Sequence, residues 1–157
     1  MYPPFAELLS HFEAQLAMKG LPFYLFEGYR SPERQLELWH QGRSTPGPIV
    51  TNALPFSSFH HYGFAADYVL DGMLDRPGVQ WSWDVRNDNA PLWREMADTA
   101  LQCGLTSGFY WADFPDLPHV QKNYGFTISR LRSLIQINDL PAIWKMADEW
   151  LEQQLRP

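Results

Sequence analysis

Ser58-Phe59-His60-His61-Tyr62-Gly63-Phe64-Ala65-Ala66-Asp67 sets an imidazole, His60, and a carboxylate, Asp67, seven residues apart, with one glycine and two alanines between them. Further along, Asp116-Leu117-Pro118-His119 offers a second imidazole with a carboxylate three residues before it. His60, Asp67 and His119 make a three-ligand set for a hydrolytic zinc, with a fourth position left for water. Phe64 to Leu70 alternates small or polar residues with large apolar ones, as a half-buried strand does. That register puts Ala65, Asp67 and Val69 on one face. The small side chain of Ala65 leaves room beside the carboxylate for metal and substrate. Gly63 suits a tight backbone approach or an unusual dihedral between the two ligands.

Helical patterns flank this strand. Phe5, Leu8, Leu9, Phe12 and Leu16 recur at helical spacing and Gly20 is a natural stop. The aromatic run Pro22 to Phe26 predicts a strand. After Gly28-Tyr29-Arg30, Ser31 reads as an N-cap, with Pro32 at the first helical position, Glu33 suited to the dipole, and a helix through Leu36, Leu38 and Trp39 towards Gly42. Arg43 to Ser58, rich in Ser, Thr, Pro, Gly and Asn, predicts a long ordered loop, and loops of that length are often functional. Beyond Asp71-Gly72 a further strand is expected at Trp81 to Val85. Pro91 opens an amphipathic helix closed by Gly104. Short strands are expected at Phe109 to Trp111 and His119 to Gln121, then helices at Ile128 to Ile137 and Leu140 to Leu155. Helices at both ends of a strand-containing middle specify an α+β domain. The 157 residues read as one domain, with the motif-bearing core over about 21–124 and a helical tail over 127–157.

Composition narrows the function classes. At 45% hydrophobic the chain can bury a real core, and its 15% aromatic content assigns much of that core, or of a ligand groove, to rings. A net charge of −6 without a basic stripe argues against nucleic acid. Cys103 is the single cysteine, so no intrachain disulfide forms, and a buried inert thiol is expected. No segment approaches the roughly 20 apolar residues that span a bilayer. The N-terminus shows no signal-peptide pattern, so cytoplasmic synthesis is expected.

A carboxylate at Asp116, on a segment stiffened by Pro118, can take a proton from the attacking water and pass it to the leaving amine. Arg30 is the best fixed cation for an oxyanion or a substrate carboxylate. Blander readings stand beside these. Asp67 read alone is a turn or capping residue, and Asp116 a solvated loop acid. His61 can compete with His60 for metal, though its position favours lining a pocket. His11 and His40 have no acidic neighbour at a recognisable spacing.

With these residues in view, the chain resembles a known family. Ser58-x-His60-x-x-Gly63-x-Ala65-x-Asp67 is similar to the signature of the zinc D-alanyl-D-alanine carboxypeptidases and L-alanyl-D-glutamate endopeptidases. Gly28-Tyr29-Arg30-Ser31-x-x-x-Gln35 resembles the family's arginine segment, and Asp116-x-Pro118-His119-x-Gln121 its second metal segment in the endopeptidase form. The resemblance implies a hedgehog/DD-peptidase fold, a small antiparallel sheet carrying the site with helices around it. It implies one zinc on His60, Asp67 and His119, Asp116 as base and Arg30 as the carbonyl or oxyanion contact. Ser58 and Gln35 become supporting residues, and His61 and Trp111 line the site. The implied substrate is the peptidoglycan stem peptide, with the L-Ala–D-Glu bond as the expected point of cleavage in an endolysin-like protein. Such a protein would act on the wall after release by a separate pore-forming protein, without inserting in the membrane. D-Ala-D-Ala carboxypeptidase action is the alternative within the enzyme class, and a non-catalytic zinc-containing wall-binding protein the alternative outside it. One departure bears on specificity: where the endopeptidase branch carries a Gly-Gly-Asp-Trp-like stretch, this chain has Ser107-Gly108-Phe109-Tyr110-Trp111-Ala112-Asp113.

Overall fold

The computed structural model describes residues 1–70 and 90–156. Among these are five helices, α1 (Pro3–Met18), α2 (Pro32–His40), α3 (Ala90–Gln102), α4 (Ile128–Leu134) and α5 (Leu140–Gln154). Four strands, β1 (Phe23–Glu27), β2 (Ala65–Leu70), β3 (Thr106–Ser107) and β4 (His119–Gln121), form one antiparallel sheet in the order β1-β2-β4-β3. The α+β class expected from helices at both ends of a strand-containing middle is the observed one. The strand expected at Trp81 to Val85 lies outside the described residues.

The packing divides the chain into two compact units. The first joins Met1, Pro3–Gly28 and Ala65–Lys122 and holds the sheet with α1 and α3. The 3.6-residue period of α1 buries Phe5, Leu9, Phe12 and Leu16 as one stripe. α3 buries Trp93, Met96, Ala97 and Ala100 in the same way. Rings join these helices to the strands: Phe12 meets Tyr68 edge to face at 5.3 Å and Phe23 meets Trp93 at 5.0 Å. The Tyr68 hydroxyl donates to Glu13 at 2.9 Å, so the polar tip of a buried ring is satisfied. Every residue of β2 is buried, which makes it a central strand covered on both faces rather than half-exposed.

The second unit comprises Tyr2, Tyr29–Phe64 and Asn123–Pro157. Ser31 caps α2 as its position implies, accepting the Arg34 N–H at 3.2 Å. Leu36 of this helix is exposed, and its buried residue is Gln35. The loop after α2 is pinned, with the Arg43 guanidinium donating to the carbonyls of Trp39 and Thr51 and to the Asn52 side chain. The tail helices bury Leu131, Leu134, Ile143 and Ala147. Tyr2 sits among Phe64, Tyr124 and Trp144, and its hydroxyl donates to Asp148 at 2.6 Å. The Trp144 indole donates to the Tyr62 carbonyl at 2.7 Å. These buried residues give the tail helices a part in the core of the second unit.

One expectation needs correction. Phe109 to Trp111 is not a strand: Gly108–Tyr110 is a 3-10 turn, and the pairing strand is the short β3 before it. Local hydrogen bonds explain the difference. Ser107 Oγ accepts the Phe109 N–H, and the Gly108 carbonyl accepts the N–H groups of Trp111 and Asp116. These bonds curl the chain just where aromatic content alone suggested extension.

Candidate metal centre

His60 lies in a 3-10 turn, Phe59–Tyr62, that the sequence patterns did not reveal. Ser58 caps this turn, its hydroxyl accepting the His60 N–H at 3.4 Å. Gly63 closes it at φ 74°, in the left-handed region, with its N–H on the His60 carbonyl. A glycine adopts that φ without the clash a Cβ brings, and the chain then turns directly into β2. The unusual dihedral expected between the two ligands is therefore real.

Asp67 and His119 are brought together by sheet register. In the antiparallel pairing of β2 with β4, Asp67 stands directly opposite His119. Residues directly opposite project to the same face, so the carboxylate meets the imidazole. Asp67 Oδ1 and His119 Nδ1 are 3.0 Å apart. Gln121, two residues along β4, shares that face, and its Oε1 is 2.9 Å from His119 Nε2. The Trp111 ring tilts at 47° against the imidazole, with centroids 5.1 Å apart. Burial disfavours a charged His119. Against it, the hydrogen bond to Asp67, the charges of Asp116 and Asp67 and the bond to Gln121 together hold its pKa above the ordinary range.

Each of His60, Asp67 and His119 offers one ligand atom, and these atoms all lie within 4.8 Å of one another. All three residues are buried. Ligands about 2 Å from a tetrahedral zinc lie roughly 3.3 Å apart, close to the Asp67–His119 separation. A carboxylate and an imidazole that share a proton offer the same electron pairs to a divalent cation, which then displaces it. Gln121 at the far nitrogen suits this, because it accepts Nε2–H and leaves Nδ1 as the donor to metal. Two imidazoles and one carboxylate, closely set and buried, fit zinc in both donor chemistry and separation.

Of the remaining predicted residues, Asp116 lies in the first unit with Asp67 and His119, and Arg30, Gln35 and His61 lie in the second with His60. Asp116 is half-buried, its N–H bonded to the Gly108 carbonyl at 2.9 Å, and its charge acts on His119. Arg30 is buried and donates from Nη1 to Gln35 Oε1 at 3.1 Å. Gln35 is wholly buried and donates in turn to the Ala53 carbonyl at 2.8 Å and to Thr51 Oγ1. His61 is buried as well, and burial pushes its pKa down to about 4. Two residues escaped the sequence reading as functional. Gln121 was visible only as a motif position. Gly108 packs so closely that a Cβ there would stand 2.6 Å from the Asp116 carbonyl oxygen and 3.2 Å from the His119 Cβ. Strand periodicity can signal the first, since His119 and Gln121 are two apart. Nothing local signals the second.

Asp67 and His119 stand opposite each other in a small antiparallel sheet, and His60 lies in the turn that precedes β2. The sequence model of a family described as D-alanyl-D-alanine carboxypeptidase matches residues 51–122. The peptidoglycan L-alanyl-D-glutamate endopeptidase CwlK of Bacillus subtilis is 34% identical over 121 residues, covering 77% of this chain and 72% of that protein. The chain belongs to this family of zinc D-alanyl-D-alanine carboxypeptidases and L-alanyl-D-glutamate endopeptidases, and it is a peptidase. Two solved structures are similar. A zinc-bound vancomycin-resistance D,D-pentapeptidase VanY, from a VanB-type cassette, shares the fold at TM-score 0.56 with 15% identity, over 95% of this chain and 82% of its own. The Serratia marcescens L-Ala D-Glu endopeptidase ChiX is 28% identical over 79% of this chain and 81% of its own, at TM-score 0.46.

Proposed function

We propose that this chain hydrolyses the L-Ala–D-Glu bond of peptidoglycan stem peptides, using one zinc held by His60, Asp67 and His119. The convergence of those three donors carries the reading. It gains support from 34% identity to an L-alanyl-D-glutamate endopeptidase over most of both chains. When bound, zinc supplies Lewis-acid polarisation of the scissile carbonyl and a water of lowered pKa. Asp116, anchored through its backbone to Gly108, takes the proton from the attacking water and delivers it to the leaving amine. Arg30, oriented by Gln35, places a fixed cation on the substrate carbonyl or the developing oxyanion. Ser58 holds the His60 turn, and the partly exposed Trp111 ring forms a wall beside His119. The whole of residues 1–157 acts as one catalytic domain on the cell wall. Among the described residues no helix is long and apolar enough to cross a membrane.

Zinc-loaded protein incubated with peptidoglycan should liberate new D-Glu N-termini, while Asp116→Ala keeps its zinc and loses turnover by roughly 10²-fold or more. Intact stem peptides after incubation with zinc-replete protein would sink the proposal. The description of the matching family model favours a second reading, removal of a terminal D-Ala. Mass spectrometry of the muropeptides separates the two, because one product loses a single alanine and the other loses the peptide beyond L-Ala. A wall-binding protein without turnover has no use for a carboxylate at Asp116, and the same assay tests it.

A further inference from the structure

The Arg30 backbone is fastened at both of its polar groups to consecutive residues of the 3-10 turn that carries His60. Its N–H donates to the His60 carbonyl at 3.2 Å, and its carbonyl is 2.8 Å from His61 Nδ1. A carbonyl oxygen only accepts, so Nδ1 carries the proton and the tautomer of His61 is decided. The other nitrogen, Nε2, is buried and has no hydrogen-bond partner among the described residues. The bond that a histidine makes here is therefore the one to Arg30. At the opposite end of the same residue, Gln35 receives Nη1, and Gln35 is itself tied to Ala53 and Thr51. Arg30 is thus held at its backbone by His60 and His61 and at its guanidinium by Gln35.

We propose that His61 is a positioning residue for Arg30, acting through the Nδ1–H bond to the Arg30 carbonyl rather than by touching substrate. The inference rests on the role proposed for Arg30. Its physical basis is that a long side chain is aimed from its backbone, and a displacement of about 1 Å at a reacting centre can cost about 10²-fold in rate. The arrangement also links the arginine to a metal ligand, since His60 and His61 are neighbours in one short turn.

The test replaces one end of the imidazole at a time. Asn at position 61 can offer an N–H near the Nδ1 position and has nothing at Nε2, whereas Gln reaches the Nε2 position and leaves the Arg30 carbonyl without its donor. His61→Ala and His61→Gln should lower kcat by at least about 10-fold with zinc content unchanged, and His61→Asn should recover most of that loss. In an Arg30→Ala background, His61→Gln should add no further loss, because both changes act through one group. Hydrogen exchange at the Arg30 amide supplies a readout free of turnover: it should quicken in His61→Gln and stay slow in His61→Asn. Activity kept by Gln and lost by Asn would overturn the proposal in favour of direct substrate contact at Nε2. So would an Arg30 amide equally protected in all three variants. An Arg30→Ala variant with full turnover would instead overturn the role of Arg30 itself, while the amide exchange would still report whether His61 holds its backbone.

Discussion

Gln121 contacts a residue of the candidate metal centre without being one of its three candidate ligands. Its side-chain oxygen takes one nitrogen of His119 while Asp67 faces the other. A histidine so held has its ring orientation set, and with Gln121 on the Nε2 side the nitrogen left to face a cation is Nδ1. Gln121→Leu should therefore weaken zinc binding by roughly 10- to 100-fold, read by competition against a chelator, without unfolding the protein. Zinc affinity equal to that of the parent would mean the contact orients nothing. Asp116 sits at the same scale with the opposite signature: its loss should remove turnover and leave zinc in place. Of these residues, the candidate ligands and Asp116 could be proposed from the sequence because their types and spacing are chemically restrictive. The role of Gln121 was not, because a glutamine two positions from a histidine is informative only once both are known to lie on one face of a strand.

The elements that hold these residues are short. β4 is three residues and β3 two, and the two histidine ligands enter through a 3-10 turn and a strand end. Register does the positioning: pairing Asp67 against His119 makes a carboxylate and an imidazole neighbours although they are 52 residues apart. A slip of one residue would turn His119 to the other face. Gly108 guards the approach to β4. A methyl there would collide with backbone, the Asp116 carbonyl, rather than with the end of a flexible side chain. Gly108→Ala should displace the Asp116–His119 segment, costing about 1–3 kcal/mol of stability and a larger share of turnover than of folding. Denaturant melts beside kinetics would test this, and an unchanged kcat would count against it. The 3-10 turns at Phe59–Tyr62 and Gly108–Tyr110 were the elements least legible in advance. Neither has a periodicity of its own, since each is closed by local bonds that many polar stretches could in principle make.

At the level of the whole molecule, two compact units share the chain, each with its own apolar interior. The second brings α5 to the His60 turn through the bond from Trp144 to the Tyr62 carbonyl. Trp144→Ala should therefore lower stability by roughly 2–3 kcal/mol and shift the unfolding midpoint, by loss of a half-buried indole and of its hydrogen bond. A tail devoted to wall binding would leave the melt unmoved and weaken sedimentation with peptidoglycan. Zinc joins the same balance. At a free zinc concentration about 100 times Kd, binding to the native state alone adds about 2.7 kcal/mol, so chelation should lower the midpoint visibly. A chelator without effect on the melt would place the ion away from the folded core. What the amino-acid sequence determined by itself was the α+β class, most helix boundaries, and the types and spacing of the candidate ligand residues. Hydrophobic period, capping residues and ligand chemistry are local properties, written within a few positions of where they act. Only the tertiary structure decided that Asp67 faces His119, that Gln121 holds the far side of that ring, that Gly108 leaves no room for a methyl, and that His61 grips the Arg30 backbone. Each of those facts depends on strand register or on two distant segments meeting, and no short window of sequence contains both partners.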